Sequence, residues 1–144
     1  MKNTILAGVL VVLSACGSSS SDESADEEVD ESADTATLSS IQSDIFTPNC
    51  ALSGCHSSTS AQAGLSLADG DSFSNLVGED STQASGLKRV LAGDPDNSYL
   101  IHKLEGTQAA AGGSGSDMPK NASALSQEDI DQIREWITNG AENN

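Results

Sequence analysis

The chain has 144 residues, with 22 Asp and Glu against 6 Lys and Arg, a net charge of −16, 36% hydrophobic residues and only 3% aromatic. That length allows one domain. The acidic balance excludes a nucleic-acid-binding surface, which needs clustered Lys and Arg to displace phosphate counterions, and no apolar run reaches the roughly 18 residues that a membrane-spanning helix needs.

Three cysteines are an odd count for an exported chain, and the N-terminus explains one of them. Lys2 supplies a short positive region, and Ile5 to Leu13 is an apolar stretch whose helix would cover about 14 Å, half of a hydrocarbon core of about 30 Å. That is a signal-peptide core rather than a span. It runs into Leu13-Ser14-Ala15-Cys16, which resembles a bacterial lipobox, where small residues admit the signal peptidase and the cysteine sulfur takes a diacylglycerol. The sequence therefore predicts a lipoprotein signal peptide over 1–15 and a lipidated Cys16, with an ordinary secretory signal and a chance cysteine as the alternative. Either way the chain is exported, and the lipid would anchor it in the cell envelope, on a periplasmic or outer surface.

Residues 16–37 follow as an acidic, Ser-rich segment; positions 17–37 hold eight acids, no base and one large apolar residue, Val29. Such a stretch cannot bury enough surface to offset its ordering entropy, and its like charges extend it. It reads as a disordered tether with a coil reach of about 25 Å and a stretched limit of roughly 70 Å. An acidic tail that recruits a partner is the other reading.

From Leu38 onward periodicity appears, and 38–144 reads as the folded domain. Leu38, Ile41 and Ile45 share a helical face with Phe46 adjoining, and Pro48 is expected to close that helix. Leu65 and Leu67 alternate in a brief extended piece; Asp71 is placed to cap a short helix through Phe73, Leu76 and Val77. After the Gly93-Asp94-Pro95 turn, Asp96 or Asn97 is expected to cap a helix whose apolar face is Leu100, Ile101 and Leu104 and which stops at Gly106. Residues 107–117 read as a loop. The final helix has a capping box at Ser126 and Asp129, a staple from Leu125 to Ile130, an apolar stripe of Ile130, Ile133 and Ile137 widened by Trp136, and a left-handed stop at Gly140. No strand pattern lasts long enough for a sheet.

Phe46, Phe73, Tyr99 and Trp136 are the only aromatic residues, which makes a thin core for such a domain. Small exported domains of this kind usually incorporate a disulfide, a metal or a cofactor in their interior. Cys50 and Cys55-His56 supply the chemistry for one. Two thiols can add across the two vinyl groups on one edge of a haem, and a histidine directly after the second thiol is carried to where its imidazole can bind iron. The usual spacing is Cys-x-x-Cys-His; here it is Cys-x4-Cys-His, so the loop must bulge, and Gly54 offers the backbone freedom. Two rivals stand beside haem: a Cys50–Cys55 disulfide, and zinc held by Cys50, Cys55, His56 and His102.

Several motifs in order resemble the single-haem c-type cytochrome domains of exported bacterial lipoproteins. They are Cys50 to His56, Gly93-Asp94-Pro95, Ser98-Tyr99-Leu100, Lys103-Leu104, Met118-Pro119, and Trp136-Ile137 with Gly140-Ala141, and together they cover about residues 38–144. The resemblance implies an all-α fold, a small cytochrome c-like helical domain around one covalent haem c, with His56 as proximal and Met118 as distal iron ligand. Met118 is also the only methionine of the mature chain and ends an open loop, although a core gap-filler is the plainer role for such a residue. His102 is expected on the solvated face of its helix. An incipient calcium loop at Asp69-Gly70-Asp71 lacks the required oxygen ligands and turn glycine.

The expected function is a membrane-tethered carrier of single electrons, a monomer and not an enzyme. Outside the tether the domain holds 14 acids against five bases, so its redox partner is expected to present a basic docking patch. The alternatives are an open-site haem enzyme or sensor, and a non-haem lipoprotein with a Cys50–Cys55 bridge acting as a binding module.

Overall fold

The computed structural model describes residues 36–144; the expected signal peptide over 1–15, Cys16 and the expected tether up to residue 35 lie outside the described residues. The described residues start with Ala36, which is buried, and Thr37, whose hydroxyl accepts the Ser40 N–H at 3.1 Å as a helix cap. Both residues had the composition of the tether. They belong to the domain because the first helix needs partners for its unpaired N–H groups. The far end of the chain supplies two more: Asn144 accepts from Leu38 N through its side chain and from Ser39 N through its backbone, both at 2.9 Å.

The first helical run comprises α1 (Leu38–Ile41), a π-helical turn (Gln42–Phe46) and α2 (Thr47–Asn49). Pro48 does not close it; it sits in the first turn of α2. Proline gives no N–H to the carbonyl four residues back and its ring crowds that position, and the wider π turn immediately upstream accommodates the lost bond. Leu38, Ile41, Ile45 and Phe46 are all buried, as their spacing predicts.

Two further caps differ from expectation. Asp71 precedes α3 (Ser72–Leu76) without a capping bond, because its carboxylate accepts from Ser66 Oγ at 2.8 Å instead. Asp94, rather than Asp96 or Asn97, caps a 3-10 turn over Pro95–Asn97. α4 (Tyr99–Leu104) then begins after Ser98, whose buried hydroxyl accepts from Leu91 N and donates to the Asp94 carbonyl. α5 (Gln127–Thr138) carries both bonds of its capping box, buries Ile130, Ile133, Trp136 and Ile137, and ends before Gly140 at φ +106.

Among the described residues there is no sheet, only isolated bridges pairing Val77 with Val90, Asp80 with Lys88, and Lys88 with Ser98. The described domain is therefore helical, with long irregular connections. Its core gathers the buried faces of α1, the π turn, α4 and α5, with Leu67, Leu76 and Val90 from the connections. Arg134 of α5 joins Asp96 and Glu105 at 2.8 Å each, tying the last helix to both ends of α4.

Candidate functional site

A cleft of about 610 Å³ opens beside this core. Cys50, Cys55 and His56 line it from the segment after α2, and Met118 and Pro119 from the segment before α5. Its apolar surface includes Leu65, Leu67, Leu76, Leu100 and Leu104. The volume lies within the range of roughly 300–1,000 Å³ typical of cofactor and small-ligand sites. The four residues that the sequence singles out thus meet in one place, although 62 residues separate His56 from Met118.

The loop from Cys50 to His56 is closed by its own backbone. His56 N donates to the Cys50 carbonyl at 3.1 Å, Cys55 N to Leu52 at 2.9 Å, and Gly54 turns at φ +83, a conformation that suits glycine. Cys50 is buried and Cys55 exposed, and both are free thiols. Burial, and then the charge of Cys55, pushes the Cys50 thiol up to about 11.

His56 is half-buried, and its Nδ1 lies 3.1 Å from the carbonyl oxygen of Leu65. A carbonyl can only accept, so the proton sits on Nδ1 and the Nε2 lone pair is left for an electrophile or a metal. Leu67 N in turn donates to the His56 carbonyl at 2.7 Å. The extended piece read from Leu65 and Leu67 is therefore what holds the imidazole.

Met118 is half-buried at the margin of the core, and its N–H donates to the Lys103 carbonyl at 2.8 Å. The loop before it is tied down throughout. Gly113 N bonds to Gln108 O at 2.8 Å, Ser114 N to Gln83 O at 2.9 Å, and Tyr99 Oη donates to Ser114 O at 2.7 Å.

His102 is absent from the cleft. Its Nε2 donates to the Asp96 carbonyl at 3.0 Å, and its Nδ1 accepts from Thr107 Oγ1 at 2.8 Å. It is half-buried and fully bonded rather than solvated, since the turns flanking α4 fold back over it. A zinc site using His102 is not assembled, and among the described residues no group of three or more His, Cys, Asp and Glu side chains is placed to hold a metal ion.

Sequence reasoning missed the charged lining. Three of the domain's five bases, Arg89, Lys103 and Lys120, line the cleft, and no acid does, in a domain with 14 acids. Arg89 donates to the carbonyls of Asn75 (2.8 Å), Gly64 (3.2 Å) and Ala63 (3.3 Å), bracing the segment that follows the cysteine loop. Lys103 is only 7% exposed; burial pushes its ammonium below the usual lysine range, and Asp117 partly offsets this. The expected apolar face of α4 was Leu100, Ile101 and Leu104; instead Tyr99 and Lys103, four residues apart, are buried with Ile101 and Leu104 while Leu100 is half-buried. The spacing of Tyr99 and Lys103 on one helix face was the available signal.

Chemically, the cleft offers two thiols that can add to alkenes, an imidazole with a directed lone pair, a thioether, an apolar wall and a cationic lining. That set suits a flat apolar group bearing anionic substituents and a metal. Neither the family models, nor the curated proteins, nor the solved structures searched include a match to this chain.

Proposed function

We propose that this chain is a membrane-tethered, extracytoplasmic c-type cytochrome that carries single electrons. The observation that carries the reading is the convergence of Cys50, Cys55, His56 and Met118 on one cleft, with the His56 imidazole fixed by Leu65 so that its Nε2 is free. Cys50 and Cys55 would hold a haem c through thioethers, His56 and Met118 would supply its iron ligands, and Arg89 and Lys120 would lower the cost of burying its carboxylates. The bound group supplies a one-electron redox centre, with imidazole and thioether ligation favouring the ferrous state. The protein's own part is to exclude water with its leucines and to hold both ligands on braced backbone. With His56 and Met118 both given to the iron, no open position would remain for substrate, and the protein would act as a carrier rather than an enzyme.

The lipidated Cys16 and the tether hold the domain at a bacterial membrane, and the acidic surface selects a redox partner with a basic patch. Such encounters are small and transient, and the carrier acts as a monomer.

The deciding experiment is the absorption spectrum and mass of the exported protein. Each S–H adds across a vinyl C=C, sulfur to one carbon and hydrogen to the other, with nothing lost. The protein should therefore gain the mass of one whole haem and keep its colour through acid–acetone extraction. A colourless protein two hydrogens lighter than the bare chain would replace this reading with a Cys50–Cys55 disulfide-bridged binding module.

A further inference from the structure

Residues 107–117 consist of Gly, Ala, Ser and Thr with one Gln and one Asp, and they carry no large apolar side chain to anchor them. Ordering such a loop costs about 1–2 kcal/mol per residue in backbone entropy. Yet Met118, at its end, must stand at a defined place in the cleft. The anchoring comes from α4. The Lys103 ammonium donates to the carbonyls of Ser114 and Ser116, and the Lys103 backbone carbonyl accepts the Met118 N–H at 2.8 Å. One turn earlier, Tyr99 Oη donates to Ser114 O at 2.7 Å and accepts Ser114 N–H at 3.1 Å, with its ring centre 5.6 Å from the ammonium.

The loop fits these two side chains closely. A Cβ at Gly113 would overlap the Tyr99 ring, and one at Gly115, whose φ is +81, would stand 2.9 Å from Lys103 Nζ. Among the described residues Lys103 belongs to no ion pair; the three that form use Lys88 and Arg134. Burying an ammonium without a carboxylate partner is costly, and a leucine would fill an apolar helix face without that penalty. The charge is accounted for by what it holds.

We propose that Lys103 is a positioning residue for Met118: its ammonium, seated on Tyr99 and bonded to two carbonyls of the preceding loop, fixes the loop so that the thioether faces the cleft. The role assigned to Met118 rests on the cytochrome reading; the clamp itself rests on the hydrogen bonds. Its consequence is that axial ligation, not haem attachment, depends on Lys103.

The test compares wild-type holoprotein with Lys103→Leu, Lys103→Arg and Tyr99→Phe, and with Trp136→Phe as a control for general loosening. Trp136 lies outside the cleft lining, and its Nε1 donates to the Glu142 carbonyl at 2.8 Å. The readouts are covalent haem content, the far-red sulfur-to-iron band of the oxidised protein, carbon monoxide uptake by the reduced protein, and Tm. Lys103→Leu should attach haem in full, lose most of the band and take up carbon monoxide. Loss of the ammonium's two charge-assisted bonds raises the loop-open population roughly tenfold or more. Lys103→Arg should recover part of the band, Tyr99→Phe should lose less than Lys103→Leu, and Trp136→Phe should lower Tm with the band intact.

A wild type that shows the band, beside a Lys103→Leu protein that shows it equally, overturns this inference and leaves the cytochrome reading standing. Equal loss of the band in Trp136→Phe overturns it as well, since the effect would be loosening. If Lys103→Leu does not accumulate, an unchanged band in both Lys103→Arg and Tyr99→Phe overturns it. A wild type with no haem overturns the cytochrome reading first.

Discussion

The Nδ1 of His56 and the carbonyl oxygen of Leu65 are 3.1 Å apart, which fixes both the tautomer and the direction of the imidazole. The segment that carries this carbonyl is held two residues further on by a buried side chain. Gln42, in the π turn, donates from Nε2 to Leu67 O at 3.0 Å and accepts from Ser72 Oγ at 2.7 Å, while Leu67 N holds the His56 carbonyl. The π turn, α3 and the histidine segment are therefore joined through a single amide.

Replacing that amide tests the brace. Gln42→Leu fills similar space but strands the Leu67 carbonyl and the Ser72 hydroxyl without partners. The expected loss is about 1–3 kcal/mol of stability in urea unfolding. A variant as stable as wild type would show that water reaches these groups and that the brace is dispensable.

The close approach of Gly113 to Tyr99 makes a second expectation. Gly113→Ala places a methyl against the Tyr99 ring, so the loop or the ring must shift, at a cost of about 1–3 kcal/mol. Gly112→Ala, two residues from the Ser114 contact, meets no neighbouring atom within 4 Å; its penalty comes only from φ +73. In the holoprotein, Gly113→Ala should therefore weaken the far-red band, whereas Gly112→Ala should lower Tm and spare the band.

Helix faces were legible in the sequence where one periodic stripe meets one core. Ile130, Ile133 and Ile137 of α5 and Leu38, Ile41 and Ile45 of the first run are all buried, and the Ser126 capping box is present as read. Caps whose side chains had a better tertiary partner were not legible: Asp71 turned to Ser66, and Ser98 to Leu91 and Asp94. Lys103 escaped because periodicity treats any lysine as solvated, while its burial depends on carbonyls 11 and 13 residues downstream. The cysteines, His56 and Met118 could be named from local motifs, but their sharing one cleft depends on how the loop before Met118 packs on α4, which no local pattern encodes.

The two thiols should differ in the haem-free, reduced chain. A thiol with a pKa of about 11 is about one part in a thousand thiolate at pH 8, so iodoacetamide should modify exposed Cys55 well before buried Cys50. The raised value also has a sign in stability. The folded chain holds the Cys50 proton beyond the ordinary value of 9.0, so this contribution is complete below that value and is lost as pH rises through about 11. Cys50→Ala should remove that alkaline loss, which amounts to about 2–3 kcal/mol at most. Equal alkylation rates at the two sites would argue that the Cys50 loop is open in solution.

Cys16 lies outside the described residues, and its role is tested at the membrane. Wild type should partition with membranes and begin at a lipid-modified Cys16, whereas Cys16→Ser should block processing or release the domain. Recovery of wild type as soluble protein with an unmodified N-terminus would remove the anchor from the reading.

Met118 and His102 make the sharpest pair, because both could ligate iron by chemistry but only one lines the cleft. Met118→Ala should abolish the far-red band, let the reduced protein take up carbon monoxide, and lower the potential, since water or hydroxide stabilises ferric iron better than a thioether does. His102 is committed to Thr107 and the Asp96 carbonyl, so His102→Ala should leave band, carbon monoxide resistance and potential as they are. It should cost a little stability instead, about 0.5–1.5 kcal/mol, because both bonds are exposed and water can take the place of the imidazole. Ready carbon monoxide uptake by wild type, unchanged in Met118→Ala, would mean that the thioether is not on the iron. The cleft would then hold a haem with a vacant position, and the protein would be an open-site enzyme or gas sensor rather than a carrier.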